Sequence, residues 1–98
     1  MYNVIYSDRF KEELKEIAVF VARLSNKDAA TKLIESIMSS IRLLSHFPKI
    51  GILRYLDERS SKEFHLLITG HYFVYYSIFE DTIRIDGIKN TRTGVYKI

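Results

Sequence analysis

The stretch Tyr72-Phe-Val-Tyr-Tyr-Ser-Ile-Phe79 decides the fold of this chain. It is the clearest predicted β-strand in the sequence, because every residue except Ser77 is aromatic or β-branched. Side chains alternate between the two faces of a strand. One face then carries Tyr72, Val74, Tyr76 and Ile78, and the other carries Phe73, Tyr75, Ser77 and Phe79. We expect the first of these faces to pack on helices.

Two further strand candidates flank this segment and are joined to it by short turns. Glu63–Ile68 precedes it across a turn at Thr69-Gly70, and Thr82–Ile88 follows it after Glu80-Asp81. Connections this short join antiparallel neighbours. The three segments are therefore predicted to form a meander.

The first half of the chain predicts one strand and two helices. Tyr2–Tyr6 is a short apolar run typical of a strand. After an N-cap at Ser7, a first apolar stripe has helical spacing and consists of Phe10, Leu14, Ile17, Val21 and Leu24. After a capping box predicted at Ser25-Asn-Lys-Asp28, a second stripe consists of Ala30, Leu33, Ile37, Ile41 and Leu44. So short a break between two helices predicts an antiparallel helical hairpin.

The predicted order of elements is β-α-α-β-β-β. Because each helix has an apolar stripe that needs a partner, we expect the hairpin to pack on the sheet. The sequence thus predicts a single α+β domain over residues 1–98, with two layers, in which a helical hairpin covers one face of an antiparallel sheet.

Composition excludes several classes of function. The chain has 98 residues and 47% of them are hydrophobic, which is sufficient for a core. It has no cysteine, so disulfides, thiolate metal sites and cysteine nucleophiles are excluded. Its histidines share no metal-ligand spacing, and we expect no metal and no other cofactor. No signal peptide or membrane-spanning run is visible, which predicts a cytoplasmic protein without a membrane partner.

The net charge of +3 comes entirely from the last twelve residues, because Lys89, Arg92 and Lys97 stand there without any acid. A basic segment that also contains Tyr96 suits a polyanion, with the cations on phosphate and the ring beside a base or a ribose. A frayed C-terminus could have the same composition. Acidic residues on the first helix, Glu12, Glu13 and Glu16, are interpreted as solvated charges.

A second basic cluster precedes the predicted meander. We interpret Ile50–Ser61 as a loop with a short strand at Ile52–Leu56. The basic residues in or beside it are Arg54, Arg59 and Lys62. They are candidates for contact with a target, although the neighbouring acids Asp57, Glu58 and Glu63 favour a solvated loop with balanced charge.

Five strings in the sequence recur in one known group of proteins when taken in this order and spacing. They are Tyr2-Asn-Val-Ile-Tyr-Ser7 before a charged helix, Ala29-Ala30 in the second helix, Ile41-Arg-Leu-Leu-Ser-His-Phe-Pro48 with Gly51, Leu66-Leu-Ile-Thr-Gly-His-Tyr-Phe-Val-Tyr-Tyr76, and Ile83-Arg-Ile85 before the basic end. Over nearly its whole length the chain resembles the RelE/ParE superfamily, the toxic halves of bacterial type II toxin–antitoxin pairs. The resemblance implies a RelE/ParE-like fold and a toxin that arrests bacterial growth.

The resemblance implies two possible targets. RelE-like members cleave mRNA in the ribosomal A site without a metal, whereas ParE-like members poison DNA gyrase. The residues slightly favour ribosome-dependent mRNA cleavage, because coherent catalytic roles can be assigned to them. The alternatives are a ParE-like gyrase inhibitor with no catalytic activity of its own, and a degenerate, non-toxic nucleic-acid-binding module.

The roles follow from matching positions in the superfamily. An arginine commonly stands seven positions before the aromatic residue that opens the next strand, and here that position is His65, a candidate general base or acid. Near the end the superfamily often has His-Gly-Arg-Arg and then an aromatic residue, where this chain has Asn90-Thr91-Arg92-Thr93 and then Tyr96. Arg92, with Lys89 or Lys97, would hold the phosphate, and Tyr96 would stack on a base or donate a proton. The missing histidine and second arginine suit the gyrase inhibitor almost as well.

The resemblance also implies a protein partner. Superfamily toxins are neutralised by a small antitoxin that wraps around them, which implies a toxin–antitoxin hetero-oligomer for this chain. Strand alternation leaves Phe73, Tyr75 and Phe79 on the face away from the helices, and an exposed aromatic row marks a partner site. We therefore predict that these three side chains contact the antitoxin.

Overall fold

The computed structural model describes residues 1–55 and 62–91. Its elements are β1 (Asn3–Tyr6), α1 (Asp8–Leu24), α2 (Lys27–Arg42), a 3-10 turn (Leu43–Ser45), β2 (Ile52–Tyr55), β3 (Glu63–Thr69), β4 (Tyr72–Phe79) and β5 (Thr82–Asn90). The helical hairpin and the three-stranded meander are confirmed, and the short strand expected near Ile52 is β2. The architecture is the predicted two-layer α+β arrangement.

The five strands form one sheet in the order β1-β5-β4-β3-β2. Neighbours from β2 to β5 are antiparallel, but β1 runs parallel to β5 with Val4 opposite Ile83 and Tyr6 opposite Ile85. The expectation of a wholly antiparallel sheet was therefore wrong, and the sheet is mixed. No turn connects β1 to β5, so no local signal could have revealed this pairing.

One of the two predicted helix N-caps is confirmed, and the other lies one residue later than predicted. Ser7 caps α1 as predicted, since its hydroxyl accepts a hydrogen bond from the Phe10 amide at 3.0 Å. The cap of α2 is Asn26 and not Ser25: the Asn26 side-chain oxygen accepts from the Ala29 amide at 2.8 Å. Ser25 is instead the C-cap of α1, where its amide donates to the Val21 carbonyl. Neither α1 nor α2, the helices of the described part of the chain, is long and apolar enough to cross a membrane.

The core lies between the helical hairpin and one face of the sheet. Its buried members are Phe10, Ile37, Ile41, Leu44, Tyr72, Val74, Tyr76, Ile83, Ile85 and Ile88. Both predicted stripes and the predicted inner face of β4 contribute to this core, and β5 adds Ile83, Ile85 and Ile88. Leu24, the last residue of the first stripe, is exposed at the tip of α1. A β-bulge at Asp86 shifts the register between β4 and β5, which brings both Ile85 and Ile88 to the inner face.

Candidate functional site

His65 lies on β3 and its side chain faces the core. It is 7% exposed, and its ring stacks on Tyr76 of β4 at a centroid distance of 5.1 Å and an interplanar angle of 21°. Within residues 1–55 and 62–91, its Nδ1 has no hydrogen-bond partner. Nor do three His, Asp or Glu side chains come together anywhere in that part to hold a metal ion. A general base must reach the proton that it removes, and this packing keeps the imidazole from the surface.

Burial of His65 makes the stability of the fold depend on pH. Burial lowers the pKa of this imidazole from its usual 6.5, with a smaller raising effect from Glu63 and a further lowering effect from Lys49. The folded state thus disfavours the protonated form. The free energy of unfolding is expected to be highest above that usual value and to decrease as the pH falls below it.

Denaturant titrations between about pH 8 and about pH 5 measure this effect. In His65→Phe, which keeps an aromatic ring against Tyr76, the loss of stability on acidification should be smaller than in the unmodified chain. His46→Gln, at an exposed histidine, is the matched control and should retain the original pH dependence. An identical pH dependence in the chain with His65 and in His65→Phe would contradict this assignment.

The Tyr76 ring that stacks on His65 also holds the segment before β2. Its hydroxyl donates to the Pro48 carbonyl at 2.8 Å and accepts from the Gly51 amide at 3.0 Å. Gly51 has no room for a side chain, because a Cβ there would lie 2.6 Å from the Tyr76 hydroxyl and 2.7 Å from the Leu66 carbonyl. Tyr76, stacked on His65, therefore has a structural role: its hydroxyl connects the turn after α2 to the centre of the sheet.

The outer face of the sheet, opposite the helices, carries the aromatic residues predicted for it. Phe79 is 57% exposed, and Phe73 and Tyr75 are half-buried. The Tyr75 ring meets Phe64 edge-on at 6.0 Å. Further exposed apolar side chains on this face are Ile5, Ile52 and Ile68. Alternation along β4 thus correctly predicted an apolar surface away from the helices.

The Tyr75 hydroxyl differs from that of its neighbour Tyr76. It is buried and makes no hydrogen bond to the residues that the structure describes. Burial raises the pKa of this phenol, with Glu13 adding to the rise and Arg9 opposing it. A buried hydroxyl without a partner contributes nothing to stability by hydrogen bonding.

Cationic side chains border the outer face. A groove there is lined by Ser7, Arg9, Lys62, Glu63, Phe64, Ser77, Arg84 and Asp86. The Arg84 guanidinium pairs with Asp86 at 2.5 Å and lies 5.4 Å from the centre of the Phe79 ring. Lys62, one of the predicted basic residues, therefore stands beside the aromatic surface. Arg54 is exposed on β2 opposite Phe64, whereas Arg59 lies outside the described residues.

The start of the basic C-terminal segment is held against α1. Lys89 on β5 forms an ion pair with Glu13, and the Ile88 amide donates to the same carboxylate at 3.1 Å. The interpretation of Glu13 as a solvated charge was wrong, since its side chain is 14% exposed. A signal existed in the sequence, because position 13 borders the apolar stripe at Phe10 and Ile17. Arg92, Tyr96 and Lys97 lie outside the described residues, and their roles stay predictions.

Comparison with known proteins assigns this architecture to a family. A family model described as "ParE toxin of type II toxin-antitoxin system, parDE" matches residues 4–93. The chain belongs to the ParE toxin family. It is thus a toxin of a type II toxin–antitoxin system, and its predicted resemblance to the RelE/ParE superfamily is confirmed. No curated protein matches this ParE-family chain at the level of sequence.

Solved structures agree with the fold of this ParE-family chain. The chromosomal ParDE toxin–antitoxin system from P. aeruginosa has a TM-score of 0.76 and 15% sequence identity, covering 92% of this chain and 96% of that one. The YoeB-YefM complex from Staphylococcus aureus has a TM-score of 0.53 and 17% identity, covering 91% and 95%. Because these sequence identities are low, the likeness is evidence for the fold alone, and it confirms the RelE/ParE-like fold.

Proposed function

We propose that this toxin arrests growth by binding DNA gyrase and that its own residues catalyse no reaction. The observation that carries the proposal is the match to the ParE toxin model over residues 4–93, because ParE-like members of the superfamily poison gyrase. The position of His65 supports it. Metal-free RNA cleavage needs a base at the ribose hydroxyl, and the candidate base is packed against Tyr76 on the core side of the sheet.

The sequence alone slightly favoured ribosome-dependent mRNA cleavage, whereas the proposed target is DNA gyrase. That preference depended on His65 as a base together with Arg92 and Tyr96. With His65 assigned to the core, the remaining two are better suited to binding than to acid–base chemistry, since arginine holds phosphate and a tyrosine ring stacks on a base.

We further propose that the basic residues contact the target rather than act on it. The C-terminal segment contributes Lys89, Arg92, Tyr96 and Lys97, and the segment before the sheet contributes Arg54, Arg59 and Lys62. The exposure of Arg54 and Lys62 supports their part in this surface. Residues 87–98 contain no acid, and although Lys89 pairs with Glu13 of α1, the further positive charges of Arg92 and Lys97 favour an anionic target, such as a gyrase–DNA complex.

We propose that a cognate antitoxin covers the outer face of the sheet and contacts Phe73, Tyr75 and Phe79, giving a toxin–antitoxin hetero-oligomer. The ParDE and YoeB-YefM structures are systems of paired proteins, which supports such a partner. The chemistry of the face supports the location, because an apolar centre is bordered by Arg9, Lys62 and Arg84. An amphipathic antitoxin segment with acidic residues along one side would complement it.

Phe79→Glu is expected to weaken antitoxin binding by about tenfold or more, because it replaces an exposed aromatic ring of the proposed interface by a carboxylate that repels acidic antitoxin residues. Phe20→Glu is the matched control, since Phe20 is 60% exposed on α1 whereas Phe79 is 57% exposed on the outer face. Titration calorimetry with the antitoxin encoded beside the toxin measures both dissociation constants. A larger loss for Phe20→Glu than for Phe79→Glu would place the antitoxin elsewhere.

Two parallel assays test the proposed target. The purified toxin is added to DNA gyrase in a supercoiling assay, and the toxin is induced in cells without antitoxin while mRNA 5′ ends are mapped. We expect inhibited supercoiling and intact messages. Codon-phased cuts in translated messages together with unaffected supercoiling would establish the ribosome-dependent nuclease instead. Normal growth on full expression would favour the non-toxic nucleic-acid-binding module.

A further inference from the structure

We infer that Glu13 is a positioning residue that sets the path on which β5 delivers the basic C-terminal segment to the target. The inference rests on the proposed function, which assigns target contact to that segment. It is carried by contacts of α1 with the outgoing half of β5.

The outer edge of β5 changes partner halfway along the strand. β1 pairs only with Thr82–Ile85, so the rest of that edge has no neighbouring strand in the described part of the sheet. Beyond Ile85, Ser7, the N-cap residue of α1, replaces β1 as the hydrogen-bonding neighbour of β5. The Ser7 amide donates to the Ile85 carbonyl at 3.0 Å, and the Ser7 hydroxyl donates to the Asp86 carbonyl at 2.9 Å.

Glu13 provides the next hydrogen-bond partner along the same edge of β5. Its Oε1 accepts a hydrogen bond from the Ile88 amide at 3.1 Å, in the place where a strand carbonyl would stand. The Ile88 side chain is fully buried, and a buried amide without an acceptor is unfavourable. The carboxylate thereby keeps β5 extended beyond the last residue that β1 supports.

The second oxygen of the same carboxylate holds a cation of the basic segment. Glu13 Oε2 pairs with the Lys89 ammonium and lies 3.5 Å from Arg9 Nε one helical turn earlier. The Glu13 side chain is 14% exposed and the Lys89 side chain 35%, whereas Arg9 is 67% exposed. Because the carboxylate is partly buried, its attraction for Lys89 is screened less than in a fully exposed pair, and it directs the Lys89 side chain toward α1.

Gly87 makes this close approach possible. A Cβ at position 87 would lie 2.7 Å from Glu13 Oε1, a distance that such atoms do not occupy without displacement of the neighbour. The opposite edge of β5 is paired with β4 up to Asn90, and the Thr91 amide donates to the His71 carbonyl at 2.7 Å. β5 is thus held on one edge by Glu13 as far as Ile88 and on the other by β4 and His71 as far as Thr91, and these contacts set the direction in which the strand ends.

Three variants separate the parts of this arrangement. Glu13→Ala removes both contacts, and Glu13→Gln keeps an oxygen for the Ile88 amide while it loses the charge. Glu12→Ala is the matched control at an exposed position next to Glu13. For each variant, amide hydrogen exchange at Ile88, the thermal midpoint and the concentration for half-inhibition of gyrase are measured, with inhibition assayed well below the midpoint.

For Glu13→Ala we expect about tenfold faster exchange at Ile88 and an about tenfold higher concentration for half-inhibition, because the end of β5 that leads into the basic residues is no longer held by α1. Glu13→Gln should restore most of both values, and Glu12→Ala should change neither. A Glu13→Ala protein that inhibits as well as the unmodified toxin overturns the inference. So does one that inhibits better, because added positive charge rather than position would then control binding.

Different outcomes distinguish a failure of the inference about Glu13 from a failure of the proposed gyrase target. If the unmodified toxin does not inhibit gyrase, the proposed target is wrong, and growth arrest on induction replaces inhibition as the readout for the same variants. If the unmodified toxin inhibits gyrase and Glu13→Gln is as impaired as Glu13→Ala, the hydrogen bond to Ile88 does not position the segment and the inference fails.

Discussion

Replacing Ile37 by aspartate is expected to unfold the domain. Ile37 lies in the middle of α2, is 1% exposed and belongs to the core cluster between hairpin and sheet. A carboxylate at this position loses its hydration without gaining a partner, at a cost of several kcal/mol. Small domains have a free energy of unfolding of about 5–15 kcal/mol, so one such change removes a large share of it.

Circular dichroism during denaturant and thermal unfolding measures this loss. Ser36→Asp is the matched control, because it introduces the same carboxylate at the adjacent, exposed position of the same helix. Its effect should stay within about 0.5 kcal/mol. A folded Ile37→Asp protein with a transition close to that of Ser36→Asp would show that α2 does not bury this side chain.

The second large effect is expected from Tyr76→Phe, which should lower the free energy of unfolding by about 2 kcal/mol. The change removes one hydroxyl that bonds both the Pro48 carbonyl and the Gly51 amide. Those backbone groups would lose their partner while the ring could still stack on His65. The loss should therefore fall on the turn before β2, and hydrogen exchange at the Gly51 amide should accelerate.

Tyr75→Phe provides the matched control for this prediction. The two tyrosines are adjacent on β4, but the Tyr75 hydroxyl is buried with no partner among the residues described. Removing a buried polar atom that makes no hydrogen bond should change stability by less than about 1 kcal/mol, or increase it. Equal losses in the two variants would show that the Tyr76 hydrogen bonds contribute nothing.

Much of the fold was predictable because its signals are local. The limits of β4, Tyr72 to Phe79, followed from an uninterrupted run of β-forming residues between two turns. The helical stripes followed from spacing, and their buried members Phe10, Ile37 and Ile41 lie in the core. The one-residue shift from Ser25 to Asn26 at the second cap reflects how two cap-forming residues in sequence compete for one position.

The candidate site was only partly predictable. Alternation in β4 correctly placed Phe73, Tyr75 and Phe79 on the outer face. For His65 the strand was recognised, but whether its face met solvent or the core depended on the pairing with Tyr76. The structural role of Glu13 was missed, because its partners Ile88 and Lys89 are 75 and 76 positions away in the chain.

The sequence by itself determined the elements, their order, the inner face of the sheet and the resemblance to a toxin superfamily. All of these depend on periodicity or on short strings, which a linear pattern records directly. Tertiary structure alone decided that β1 lies parallel to β5, that His65 is packed on Tyr76, and that α1 completes the free edge of β5 through Glu13. The physical reason is that these contacts join strand edges and side chains distant in sequence, and their formation depends on the assembled sheet rather than on any local preference.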